Sequence, residues 1–282
     1  MELTSIRKPA VAGRFYPKNK TELSRLLDKI LKVEKNKIDL SFKEKNIFGA
    51  VVPHAGYMFS AYQAVHFFEL LKHYHKQFDT FVIVNPNHTG RGADIALESH
   101  NFWETPLGLV PADIEFSEEL GFDYSDAAHS HEHSGEVMLP LLQHFIEYDF
   151  KITAITLSDQ NADNARMLAN KIFETEKKLQ RKVCFIASSD FSHFLSPDEG
   201  KYFDQKVLDK IAAKDIEGVF SEVRKHKISV CGFGPIMSLM EYSRLKSENY
   251  QSKILARGHS GEIIPSDEVV DYICILFYAS LS

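Results

Sequence analysis

Short apolar runs of strand length recur along the chain, at residues 48–52, 80–84, 94–97, 152–157, 183–187, 254–257 and 272–278. Between most of them the apolar positions change to helical spacing. Residues 21–35 place Leu23, Leu26, Leu27, Ile30 and Leu31 on one helical face. Residues 60–74 group Ala61, Ala64, Val65, Phe68 and Leu71, and Ser60 with Gln63 reads as a capping box that opens this helix. Residues 162–178 and 233–245 predict two more helices. Ser196-Pro197-Asp198-Glu199 supplies an N-cap serine, a first-turn proline and the glutamate of a capping box, so a helix should run from there to residue 213.

Strands that alternate with helices predict an α/β fold. The expected form is a largely parallel or mixed central sheet with helices on both faces. No linker rich in Pro, Gly or Ser and no internal repeat divides the chain, which predicts a single domain over residues 1–282. The polar tract 32–45 reads as a solvated excursion. In such sheets ligands bind beyond the carboxyl ends of the strands. His54, His88, Asp190 and His193 all fall there.

Composition narrows the classes of function. The chain has 282 residues and is 44% hydrophobic, enough for a substantial core. Its formal charge is −6, with no basic block, which argues against a nucleic-acid footprint. The longest apolar stretch, 269–279, is interrupted by Asp271 and is far shorter than a membrane span of ~18 residues. Residues 1–9 lack the apolar segment of a signal peptide. Three cysteines, far apart and odd in number, form no disulfide framework and suit a reducing, cytoplasmic setting.

Three side chains carry the candidate chemistry. His54 lies in Val52-Pro53-His54-Ala55-Gly56-Tyr57, His88 in Asn85-Pro86-Asn87-His88-Thr89-Gly90, and Cys231 before Gly232-Phe233-Gly234-Pro235. Two imidazoles and one thiol at strand ends can hold a transition metal and leave coordination positions open. Each residue also has a plainer reading, as a turn histidine bonded to backbone or a buried inert cysteine. Cys184 and Cys274, inside apolar strands, fit that plainer reading. A thiol at a helix N-terminus shifts toward thiolate, the form that binds metal. Asp190 and His193, in Ser188-Ser189-Asp190-Phe191-Ser192-His193, form an Asp-x-x-His pair in which the carboxylate could orient the imidazole for proton transfer. The tract Ala128-His129-Ser130-His131-Glu132-His133-Ser134-Gly135-Glu136 looks metal-binding. In it, His133 and Glu136 are expected to face the site and His129 and His131 the solvent, with Ser134 as N-cap of a helix over 136–145.

With these residues in place the chain resembles the Memo family, whose bacterial and archaeal members are also labelled AmmeMemoRadiSam system protein B. The resemblance runs nearly end to end. It rests on the ordered motifs Arg7-Lys8-Pro9-Ala10-Val11-Ala12-Gly13-Arg14-Phe15-Tyr16-Pro17, Pro53-His54-Ala55-Gly56-Tyr57, Pro86-Asn87-His88-Thr89-Gly90, Thr105-Pro106-Leu107-Gly108, Glu132-His133-Ser134-Gly135-Glu136-Val137-Met138-Leu139-Pro140, Ser188-Ser189-Asp190-Phe191-Ser192-His193, Cys231-Gly232-Phe233-Gly234-Pro235-Ile236 and Ser266-Asp267-Glu268-Val269-Val270-Asp271-Tyr272. It implies a fold like that of the LigB-type class III extradiol dioxygenases. It also implies His54, His88 and Cys231 as metal ligands, with Asp190 and His193 beside them as the catalytic pair. His133, Glu136 and Tyr57 would support the ligands or touch substrate. Iron (Fe2+) is the metal implied first and copper second. The dioxygenases have a carboxylate as third ligand where this chain has Cys231. That softer donor changes metal preference, so ring cleavage does not carry over. Asn85 also stands where relatives often have glycine.

Three functions compete on this basis. One is a metal-dependent redox protein. The second is a non-catalytic module that binds a peptide or small ligand in the same pocket. The third is a hydrolase with Cys231 as nucleophile and His193 as base. The substrate or partner is an unknown small molecule or peptide.

Overall fold

Two periodicities, one of strands and one of helices, build this fold. The computed structural model describes residues 5–280. The expected domain limits at 1 and 282, and residues 1–4 of the segment read for a signal peptide, lie outside the described residues. In chain order come β1 (Ile6–Arg7), α1 (Lys20–Glu34), β2 (Asn46–Val52), α2 (Tyr57–Lys72) and β3 (Thr80–Pro86). An irregular region follows with β4 (Ile95–Leu97), the hairpin β5 (Phe102–Thr105) and β6 (Gly108–Pro111), α3 (Ile114–Leu120), β7 (Asp123–Tyr124), α4 (Asp126–His129) and α5 (Met138–Phe145). Then come β8 (Lys151–Leu157), α6 (Ala162–Leu179), β9 (Val183–Ser188), β10 (His193–Leu195), α7 (Pro197–Ala212), α8 (Ile216–His226), α9 (Phe233–Lys246), β11 (Gln251–His259) and β12 (Val269–Ala279).

The main sheet has the order β10-β12-β2-β9-β3-β8-β4-β7, and β11 also pairs with β12, antiparallel. β2, β9, β3 and β8 are mutually parallel. β12 runs antiparallel to β2, and β4 antiparallel to β8. The sheet is therefore mixed around a parallel centre, and the chain is one α/β domain. β1, β5 and β6 form a small separate sheet.

Side chains alternate across each central strand, and the core divides accordingly. Val51, Val82, Val84, Phe185 and Ala187 pack with Leu168 and Ile172 of α6 and Ile236 and Leu239 of α9. Ala50, Val52, Phe81, Ile83, Cys184 and Ile186 pack on the other face with Leu23 and Leu27 of α1, Phe67 and Phe68 of α2, and Leu142 of α5. Cys184 and Cys274 are buried there, and burial pushes both thiols up, away from thiolate.

The local expectations hold in most places and fail in three. The box at Ser196 and Glu199 forms as predicted. The helix expected from residue 60 begins at Tyr57 instead. Gly56 is its N-cap, and the Ser60 hydroxyl donates to Ala55 O at 2.8 Å, so no capping box exists there. Ser134 caps no helix either, because α5 starts at Met138 after Val137. The tract 32–45 is less solvated than its composition suggests. α1 continues to Glu34, and two short 3-10 turns fold Phe42 into the core. Among the described residues no helix is long and apolar enough to cross a membrane.

Candidate metal centre

The parallel register sets the site. Val52 of β2 pairs with Ser188 of β9, and Val84 of β3 with Ala187. The three strands therefore end side by side, and the residues just beyond them, His54, Asp190 and His88, emerge on one rim. α9 brings the fourth element. Gly232 at its N-cap lies so close to β9 that a Cβ there would come within 2.3 Å of Ser188 O and 2.7 Å of Ser189 Cβ. Only glycine allows this approach, and it carries Cys231 to the rim.

One ring nitrogen each from His54, His88 and His133 lies within 4.8 Å of the others, a group that could hold a metal ion. The His88 and His133 rings stack at 4.7 Å, and His54 stands nearly perpendicular to both. Cys231 Sγ lies 3.1 Å from His54 Nε2. Two ligand atoms on one ion at ordinary bond lengths are about 3–3.6 Å apart, so this contact already has the right span.

The hydrogen bonds fix which nitrogen faces inward. The Ser188 hydroxyl donates to Ser134 O at 2.7 Å, so it accepts from His54 Nδ1–H at 2.8 Å. That leaves the Nε2 lone pair of His54 facing the thiol. Glu132 does the same for His88. Its Oε1 accepts from His88 Nδ1 at 3.0 Å and its Oε2 from His88 N at 2.6 Å. Oε1 also accepts from the backbone of His133 and Ser134 and from the Ser134 hydroxyl. Burial pushes the Glu132 carboxyl up, but the bonds from His88 and Ser134 outweigh it and hold the group down at about 2. An ionised carboxylate behind a histidine is the usual support of a metal ligand.

Burial lowers His54 far below the ordinary imidazole range, and the neighbouring His88, His133 and His193 add to this. Burial likewise takes His133 to about 4, against the pull of Glu132. Those two rings are thus neutral at neutral pH, as ligands must be. Cys231 is not one of the three residues whose ligand atoms converge, so the donors brought together are three imidazoles rather than the expected His54, His88 and Cys231, and three imidazoles fit a transition-metal ion.

Several expectations need correction. Asp190 does not orient His193. Its Oδ1 accepts from His54 N at 2.7 Å, while His193 Nδ1 meets Ser229 O at 2.9 Å. Burial lifts Asp190 to about 7 despite the backbone bonds from His54 and Ala55. Nor does the α9 N-terminus make Cys231 a thiolate by itself. Burial, and then the nearby Asp190, push that thiol well up. The thiol touches His54, so a Cys231–His193 nucleophilic pair is not what the fold assembles.

Glu136 faces away from the cluster. It is fully buried and binds Arg7 Nη1 at 2.7 Å, Ala10 N at 2.7 Å, Val11 N at 3.1 Å and the Tyr16 hydroxyl at 2.6 Å. The Tyr57 hydroxyl donates to Val137 O at 2.5 Å and is buried, so it is committed to the framework. His129 is buried rather than solvated, with Nε2 at 2.9 Å from Ala96 O. His131 is exposed as expected. The residue missed was Glu132. Its only signal was a carboxylate between two histidines, overshadowed by Glu136 four positions on. A cavity of about 480 Å³ opens elsewhere, beside Asp79, Lys151 and Arg181, and none of the site residues line it.

A profile of the family described as Memo-like protein matches residues 7–276. The chain belongs to the Memo family. Among its Memo relatives, the MEMO1 family protein of Methanosarcina mazei is 35% identical over 277 residues, covering 96% of this chain and 98% of that protein. That of Methanobrevibacter smithii is 38% identical over 270 residues, covering 92% and 94%. That of Archaeoglobus fulgidus is 36% identical over 275 residues, covering 96% and 99%. Among solved structures, an uncharacterized protein from Escherichia coli K12 superposes with a TM-score of 0.51 at 10% identity, covering 76% of this chain and 91% of that one. This likeness extends to the fold of a Memo protein and no further.

Proposed function

We propose that this Memo protein is a metal-dependent redox protein that binds iron as Fe(II), with copper the second candidate. His54, His88 and Cys231 are the proposed ligands, and His133 is a further nitrogen donor to the same ion. The observation that carries the reading is the convergence of ring nitrogens of His54, His88 and His133 within 4.8 Å of one another, with Cys231 Sγ in contact with His54 Nε2. Bound iron or copper supplies one-electron redox chemistry and Lewis acidity.

The protein's own contribution is positional and protonic. Ser188 and Glu132 hold the His54 and His88 rings by Nδ1 and keep their Nε2 lone pairs inward. Cys231 must lose its proton to become a ligand, which a cation would drive and which burial opposes. His193 is held at Nδ1 by Ser229 O, so Nε2 is the atom at which it would give or take a proton. Asp190 holds the His54 backbone and steadies the strand end. The substrate is a small molecule that reaches this cluster.

Elemental analysis of protein purified without oxygen tests the reading. Equimolar iron or copper is expected, most of it lost in Cys231→Ser while the circular dichroism stays native. His193→Ala should keep its metal and lose turnover. A Cys231→Ser protein with undiminished metal would remove the thiolate from the ligand set.

A further inference from the structure

α9, whose N-terminus carries Cys231, has no capping side chain of its own. Its N-cap is Gly232, which has nothing to offer the first turn. Pro235, also in that turn, has no N–H. The N–H of Gly234 between them takes its acceptor from another element.

That acceptor is Gln160, in the loop between β8 and α6. Its Oε1 accepts from Gly234 N at 2.7 Å, and its Nε2 donates to Cys231 O at 2.8 Å. One planar amide thus spans the turn from Cys231 to Gly234. The two partners also fix which way the amide points, because a backbone N–H only donates and a carbonyl only accepts. The loop beneath is tied down in turn. Asn161 Oδ1 accepts from Asn164 N at 2.7 Å, and Asn164 Nδ2 donates to Asp159 O at 2.9 Å.

Gly234 makes the approach possible. A Cβ there would come within 2.7 Å of Leu157 Cδ2 and 2.9 Å of Gln160 Cβ. Its backbone is not left-handed, so close approach rather than conformation calls for glycine. On the other side of the turn, Cys231 N donates to Asp190 O at 3.3 Å and Gly232 N to Ser189 Oγ at 3.0 Å. β9 therefore holds the N–H groups of the turn, and Gln160 holds the Cys231 carbonyl. Rotation of that peptide would swing Sγ away from His54 Nε2, which it meets at 3.1 Å.

We infer that Gln160 is a positioning residue of the metal centre, whose amide fixes the Cys231 peptide and so keeps the sulfur at the histidine cluster. The inference rests on the proposed ligand set.

Titration of the full-length protein with cobalt(II), without oxygen, tests it. A thiolate on cobalt gives a ligand-to-metal charge-transfer band in the near ultraviolet that imidazoles do not. The parent should show this band. Gln160→Met should weaken it and lower cobalt affinity about tenfold, the low end of what losing a ligand's support costs. In a Cys231→Ser background the same change should leave affinity unaltered, because the group it positions is gone. A general loosening of the fold would lower affinity in both backgrounds. Gln160→Glu keeps an acceptor for Gly234 N and loses the donor to Cys231 O. It should behave as Gln160→Met does, and serves if that variant folds poorly. The proposal is overturned if the band and the affinity survive both changes at Gln160, or if the loss is as large without Cys231. A parent protein that lacks the band removes the thiolate from the ligand set and overturns the proposal with it.

Discussion

Glu132 holds His88 twice, by the backbone N–H at 2.6 Å and by ring Nδ1 at 3.0 Å. The carboxylate therefore sets both where the histidine starts and where its ring points. Glu132→Gln keeps the volume and removes the charge. Metal affinity should fall about 10–100-fold, the usual effect of losing a ligand's carboxylate support. Competition against a chelator of known affinity measures it. An unchanged dissociation constant would mean that His88 is oriented by something else.

Arg7 is buried against Trp103, its Cζ 3.9 Å from the ring centroid, and binds Glu136 at 2.7 Å and the carbonyls of His129 and Glu132 at 2.7 Å. Arg7→Ala leaves the fully buried Glu136 without its charge partner. The expected loss is about 3–5 kcal/mol of stability, read from urea denaturation. Arg7→Lys should recover little, because an ammonium cannot span these partners as a planar fork does. A lysine variant of parental stability would contradict the account.

Asp204 binds Ser192, the residue just before His193 at the start of β10. Its Oδ1 accepts from Ser192 N at 3.1 Å and Ser192 Oγ at 2.5 Å, and its Oδ2 from Arg257 at 3.3 Å. Burial and the adjoining Asp271 raise it to about 7 despite those bonds. An unfolded aspartate titrates near about 4, so between these limits the native state binds more protons than the unfolded state. Stability contributed by this group is complete below pH about 4 and is lost as the pH rises toward about 7. Urea melts across that range should show the decline in the parent and a flatter profile in Asp204→Asn. Parallel profiles would show that Asp204 ionises in the native state as freely as in the unfolded chain.

The sheet was legible because its central strands are short, mostly apolar runs. Residues 48–52, 80–84, 152–157 and 183–187 fall within β2, β3, β8 and β9. Their ends located His54, His88 and Asp190 without further information. The part that stayed hidden lies where side-chain direction is not periodic. In the 128–136 tract, sequence spacing favoured Glu136 and left Glu132 unmarked. The direction of each carboxylate was decided by distant partners, Arg7 and Tyr16 for Glu136 and His88 for Glu132. Asp190 and His193 are close in sequence, but the chain turns between them and each finds a nearer partner, His54 N and Ser229 O. α8 and the β5–β6 hairpin were not anticipated at all. Their apolar residues lean on neighbours such as α7 and α9 for α8, or form short alternating pieces in the hairpin.

His54 and Cys231 are separated by 177 positions in the chain. No local fragment can bring them together, and a half-assembled sheet presents scattered donors only. On the proposed ligand set, uptake of an ion at this rim would report on completion of the whole architecture, and occupancy and unfolding should respond to one another as linked equilibria.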